Sequence, residues 1–297
     1  MAHHHHHDTK ITQLNRVYII SLVLNSAFII VETIAGIMAN SMGLLSDAGH
    51  NLGDVFSLML AIAAIRLAHS HSTKQYTYGF RKSSVLISLL NAIILAVAVG
   101  VIAVESISKI FNPTTVEGDV VIWTATVGIV INGATAWALA HSHHHDIITR
   151  GAYLHMLADA LVSVGVVVSG MIISQTGWNL IDAITGLAVA TLILISTWRL
   201  LAESLRMSID AVPEGINPDA ILRRIEETDG VKEAHHLHIW AISTTETALT
   251  VHIVVDDITQ SESIIQNVKE RLATEKISHS TIEAETENSL CNHNNCC

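Results

Sequence analysis

Charge is scarce in this sequence. Only 14% of its 297 residues are Asp, Glu, Lys or Arg, where a soluble domain carries about a quarter. Half of the residues are hydrophobic and the mean hydropathy is +0.45, which points to an integral membrane protein. Cysteine is absent from the first 290 residues. Cys291, Cys296 and Cys297 fall together in CNHNNCC, and in a reducing cytoplasm they are not expected to form structural disulfides. The start, MAHHHHHDTK, has no apolar core, so no cleavable signal peptide is expected there. No repeat of fixed period is visible. A His-Glu-x-x-His string is missing too, which argues against an intramembrane metalloprotease, since that chemistry needs an open metal position and a general base.

What is present is a series of long apolar windows, at 17–38, 43–65, 84–108, 119–140, 153–174 and 180–201. Each has the ~20 residues that match ~30 Å of hydrocarbon, so six membrane-spanning helices are expected over 17–207. The connector ANSMG makes the first two a tight hairpin. Arg66, Lys74, Arg81, Lys82 and Arg150 lie in connectors on one side, against Lys109 alone near a span end on the other. The positive-inside rule then places both termini in the cytoplasm, including a His-rich tail over 1–16. Residues 208–297 differ in kind, with 6 Lys+Arg against 16 Asp+Glu, a net of −10 out of the chain's −11. NPDAILRRIEET and SESIIQNVKERLATE read as helices, and VKEAHHLHIWAIS, TALTVHIVVDD and HSTIEAET as strands, the last at an edge. The order αββαβ predicts a small two-layer α+β domain.

Within SMGLLSDAGHNLGDVFSLMLAIAAI stand Asp47, His50 and Asp54. Residues four apart share a helix face, so His50 and Asp54 point the same way, with Asp47 about a turn earlier. Ionisable groups at membrane depth are costly and face a bundle interior or a water-filled cavity. The fifth window repeats the device with His155 and Asp159. One such pair reads equally as a local hydrogen bond. Two on separate spans offer two imidazoles and two carboxylates, a set suited to tetrahedral Zn²⁺. Two ionised Asp also balance one divalent cation, as a low-dielectric interior requires.

LLSDAGHNLGD, YTYGFRKSSVLISLLNA, LHMLADALVSVGV and HHLHIWAIS together resemble the cation diffusion facilitator family, closest to its zinc-exporting branch of bacterial zinc efflux proteins and vertebrate zinc transporters. The resemblance covers essentially the whole chain. It implies a membrane all-α six-helix transporter domain, then a cytoplasmic ferredoxin-like domain, in a lipid-embedded homodimer. It also implies export of Zn²⁺, with Cd²⁺ as a second ion, in exchange for protons. No enzymatic activity and no nucleic-acid partner are expected, and a bacterial host would place the protein in its inner membrane. By motif the family's transport ligands fall on His50, Asp54, His155 and Asp159. Members for manganese or iron resemble this pattern with Asp or Asn at the place of His50, in keeping with the preference of harder ions for oxygen. The competing readings are a membrane-anchored zinc sensor or store without transport, and a carrier of Mn²⁺, Fe²⁺ or Co²⁺.

The resemblance also favours His235, His252 and Glu285 as ligands of a cytoplasmic zinc site, with Glu283 where some members have His. Strand alternation alone puts His236 and His238 on one face and His235 on the other. An extra family site of one Asp and two His between the second and third spans is not carried over, because Thr73, Tyr76 and Phe80 stand there. His69 and His71 nearby read as a loose collecting patch, and His141, His143, His144 and His145 as a weak capture loop or simply a solvated one. Cys291, Cys296 and Cys297, with His293 and His279, are candidate soft ligands. Their C-x-x-x-x-C-C spacing departs from the branch's C-x-x-C, so a disordered tail is the competing reading. Glu32 and Glu105 are buried-acid candidates without a partner at helical spacing.

Overall fold

The structure is a computed structural model and describes residues 7–68, 71–140, 147–275 and 277–287. Six long helices come first: α1 (His7–Met38), α2 (Met42–Ala68), α3 (Ser83–Phe111), α4 (Gly118–Ala140), α5 (Ile147–Thr176) and α6 (Leu180–Ser208). Among the described residues, four of them contain segments long and apolar enough to cross a bilayer on length and composition alone: α3, Gly118–Ala138 of α4, Tyr153–Thr176 of α5, and α6. Within the residues of α1 whose side chains are described, the apolar stretch is Val23–Met38, and α2 carries Asp47, His50, Asn51 and Asp54 in its first half.

The expected tight hairpin between α1 and α2 is there. Asn40 takes the left-handed conformation (φ 54°) that ends a helix, which Asn tolerates better than most residues. Ser41 N–H then donates back to the Gly36 carbonyl at 2.9 Å. The Lys109 ammonium closes the turn, donating to the Asn40 carbonyl (2.9 Å) and side-chain oxygen (2.5 Å).

The chain divides into two compact units. The first comprises the chain up to Leu58 and Ile93–Trp198. In it α4 packs along α5 and α1. Ala39, Leu44, Val121, Ala125 and Val166 form one buried cluster, and Val99, Val189, Ala190 and Ile193 a second. α4 and α5 approach closely because Gly118 faces Gly170. A Cβ on Gly118 would lie 2.8 Å from the Gly170 carbonyl oxygen. Val104, Trp123 and Ile195 stay largely exposed.

The second unit joins Met59–Ala92 to the chain from Arg199 onward. Packing therefore extends this unit beyond 208–297, to include the end of α2, the start of α3 and the end of α6. The expected αββαβ order is present: α7 (Pro218–Glu226), β1 (Val231–Ala241), β2 (Thr247–Val255), α8 (Ser261–Thr274) and β3 (Ile277–Glu285). The Asn217 side chain caps α7 by accepting from the Asp219 and Ala220 N–H groups. The sheet order is β1-β2-β3, with β1 antiparallel and β3 parallel to β2. Ile221, Ile225, Leu249, Val251, Ile253, Val268 and Leu272 form the core between helices and sheet. Lys82, one of the connector cations, donates to the carbonyls of Met207 and Ala241 (2.9 Å each) and to Asp210 (2.6 Å).

Candidate metal centre

The first centre lies in the first unit, where α2 and α5 meet. His50 Nε2 lies 3.7 Å from Asp54 Oδ2 on its own helix and 3.4 Å from Asp159 Oδ1 on α5. His155 Nε2 lies 3.7 Å from Asp159 Oδ2 on its own helix and 3.2 Å from Asp54 Oδ2 on α2. The shorter contact of each imidazole is thus the one across helices. Zn–N and Zn–O bonds of ~2.0–2.1 Å imply tetrahedral edges of about 3.3 Å, so these separations have the size of a zinc cage. His50, Asp54 and Asp159 each offer an atom within 4.8 Å of the others. His155 joins through its two carboxylate contacts, its ring centroid 6.1 Å from that of His50.

Burial is uneven: side-chain exposure is 2% for Asp159 and 17% for His50, but 38% for Asp54 and 42% for His155. Asp54 Oδ2 and both Asp159 oxygens are buried without a hydrogen-bond donor among the described residues. Buried carboxylate oxygens left so are expensive, and a cation relieves that cost. Asp47 does not join the cage. It is fully buried, accepts from Ser163 Oγ (2.8 Å) and Asn51 Nδ2 (3.4 Å), and lies beside the wholly buried Glu32. Glu105 is exposed on α3.

The second centre is on one face of the three-stranded sheet. His235 and His252 are cross-strand partners on β1 and β2, and Glu283 pairs with His252 from β3. His252 Nδ1 lies 2.5 Å from Glu285 Oε1 and its Nε2 3.6 Å from Glu283 Oε2, while His235 Nε2 lies 3.7 Å from Glu285 Oε2. The structure therefore brings together His235, His252 and Glu285, and adds two neighbours. One is Glu283. The other is His236, which corrects the expectation from alternation. A register shift between His235 and His238, with His236 at φ 52°, breaks the period of two. The His236 ring then sits 5.0 Å from that of His235 and 5.2 Å from that of His252. A left-handed His inside a strand has no signal in the hydrophobic pattern. The chemistry of this set suits a metal: imidazole and carboxylate donors converge, and the buried His235 Nδ1 has no hydrogen-bond partner among the described residues.

His279 is not drawn into that cluster; it is exposed and edge-on to Tyr78, 5.6 Å between centroids. His71 is exposed. His69, His141, His143, His144, His145, Cys291, His293, Cys296, Cys297 and all but the last histidine of the N-terminal run lie outside the described residues.

A helical membrane domain with a His–Asp cage, followed by an α+β domain with a His–Glu cluster, describes a membrane protein built around metal-ion chemistry. Comparison narrows the class. Residues 18–207 match the family model of the cation efflux transmembrane domain, and 213–287 match that of the cation efflux protein cytoplasmic domain. The chain belongs to the cation efflux family, whose members are transporters and not enzymes. It is 34% identical over 300 residues to the cadmium, cobalt and zinc/H(+)-K(+) antiporter of Bacillus subtilis, covering 99% of this chain and 94% of that protein. It is 33% identical over 268 residues to the metal cation efflux system protein CzcD of Cupriavidus metallidurans, covering 90% and 85%. It is 31% identical over 291 residues to the zinc transporter ZitB of Escherichia coli, covering 96% and 93%.

Proposed function

We propose that this protein exports Zn²⁺, and Cd²⁺ as a second ion, from the cytoplasm in exchange for protons, with His50, Asp54, His155 and Asp159 as the ligands of the moving ion. The observation that carries this reading is the crossed pairing of the two His–Asp helices, His50 with Asp159 at 3.4 Å and His155 with Asp54 at 3.2 Å. Binding needs neutral imidazole and ionised carboxylate, so an arriving ion displaces protons. On the release side a proton taken up by either imidazole removes a ligand and helps expel the ion; histidine suits this role because its unperturbed pKa is about 6.5. In this reading the chain spans the membrane six times with both termini cytoplasmic, and the acidic domain begins near residue 208. That domain pairs two copies into a homodimer and holds a regulatory zinc through His235, His252 and Glu285. The names of the relatives, which mention zinc, cadmium, cobalt, protons and antiport, support the reading.

Flux into sealed vesicles tests it. With the purified protein inserted and a pH gradient imposed, zinc should accumulate against its own gradient, and cadmium should compete. Zinc that binds but never crosses would indicate a sensor or store. Flux indifferent to the pH gradient would remove the proton exchange, and preference for Mn²⁺, Fe²⁺ or Co²⁺ over Zn²⁺ would change the cargo.

A further inference from the structure

Asp182, in the first turn of α6, is almost wholly buried and points at the start of a different helix. Its Oδ1 accepts from Ser41 Oγ at 2.5 Å and from Gly43 N–H at 3.3 Å, and its Oδ2 accepts from Met42 N–H at 2.5 Å. Leu44 N–H donates to Ser41 Oγ at 3.2 Å. The N–H groups that an α-helix leaves unpaired in its first turn are therefore taken up at α2 by this one carboxylate and the hydroxyl it holds. A buried anion at a helix N-terminus is also favoured by the helix dipole. One turn along α6, Gly186 completes the contact. Its carbonyl accepts from Ser46 Oγ at 3.1 Å, and a Cβ there would lie 2.8 Å from Met42.

The pinned segment leads straight to the metal ligands. A Cβ on Gly43 would meet Val166 of α5 at 3.5 Å, so α2 touches α5 at this point. Gly43 lies seven residues before His50, and Val166 seven residues after Asp159. At 1.5 Å per residue, the α2–α5 contact lies about 10 Å along each helix from the cage. We propose that Asp182 is a positioning residue for the transported ion: by clamping the first turn of α2 against α6, it sets the axial position and rotation of α2 against α5. That in turn sets the spacing of the crossed His–Asp pairs. This rests on the reading that those four side chains hold the ion.

The test uses the full-length protein in vesicles, measuring zinc KM, the zinc-to-cadmium preference and the melting temperature. Asp182→Asn keeps the shape but replaces one acceptor oxygen with an NH2 group facing the N–H and O–H donors of α2. If the energy of one buried hydrogen bond to a charged group is felt at the binding step, zinc KM rises by up to about 10-fold. A loosened cage should also shift preference toward the larger cadmium ion, since geometry sets such selectivity. Ser41→Ala, which removes one donor to Asp182 and the acceptor of Leu44 N–H but leaves the carboxylate and both its backbone donors in place, should move both readouts the same way but less, and it carries the test alone if Asp182→Asn fails to insert. Ser174→Ala, which deletes the 2.6 Å hydrogen bond to Asp119, is the comparator: it should change the melting temperature alone. The proposal is overturned if Asp182→Asn, or Ser41→Ala in its place, lowers the melting temperature yet leaves zinc KM and the zinc-to-cadmium ratio at wild-type values. His50→Ala separates the two levels. If that variant transports zinc with wild-type KM, the metal centre itself is misassigned.

Discussion

Asp54 and Asp159 bring the same carboxylate to one cage in different settings, the first 38% exposed and the second 2%. A divalent ion held there without one of them keeps an uncompensated charge in a poorly polarisable site. Asp54→Ala and Asp159→Ala should each reduce zinc flux by at least roughly 100-fold, since losing a ligand costs more than the 10- to 100-fold typical of losing a group that only orients a ligand. Vesicle flux at matched protein incorporation checks this, and normal rates in either variant would exclude the four-ligand site. The i, i+4 spacing makes each His–Asp pair legible in the sequence, because helical geometry follows from local order. The pairing across helices is not legible. His50 reaches Asp159 because α2 and α5 cross at that height, and nothing in either segment names its partner. Asp182 was invisible for the same reason: an acid in the first turn of an apolar helix reads as a routine favourable charge, until the α2 N–H groups are seen on it.

At the scale of elements, the helices of the first unit depend on glycine where they touch. Gly170 on α5 leaves room for Ile122, Val121 and the Gly118 carbonyl of α4, each 3.0–3.1 Å from where a Cβ would sit. Gly170→Leu should therefore push α4 off α5 and destabilise the protein by about 1–3 kcal/mol, the usual cost of overpacking. A thermal melt of the solubilised protein reads this directly, and an unchanged melting temperature would mean the two helices separate freely. The six helices and the αββαβ order were readable from hydrophobic period and length, because those patterns reflect which faces are buried. The bulge at His236 was not. It costs the strand its alternation and puts a third imidazole beside His235 and His252, 5.0 and 5.2 Å between ring centroids.

At the scale of the whole molecule, the two centres divide the work. In the proposed reading the membrane cage lies on the ion's route, whereas a site in the carboxy-terminal domain acts on transport only through its differential affinity for two states. Such coupling is typically ~1–3 kcal/mol, or roughly 5- to 150-fold. Replacing His235, His252 and Glu285 together in the full-length protein should lower the apparent zinc affinity of transport within that range and reduce the zinc bound per chain. It should leave the maximal rate measurable. A folded triple variant with no flux would put the domain on the obligatory route, and one matching wild type in both measurements would show that these residues bind no ion.

By itself the sequence determined the long apolar helices, the acidic carboxy-terminal segment and the identity of the polar residues set among apolar neighbours, since composition and period report directly on burial. It also offered residues whose side chains suit metal ligation. Only the tertiary structure decided how those residues combine: Asp54 with His155, Asp159 with His50, His236 and Glu283 with His252, and Asp182 with the first turn of α2. Each of these contacts joins segments distant in the chain, and its geometry is set by helix crossing, sheet register or a bulge. Local order carries no record of those features, because they arise from how the elements pack against one another.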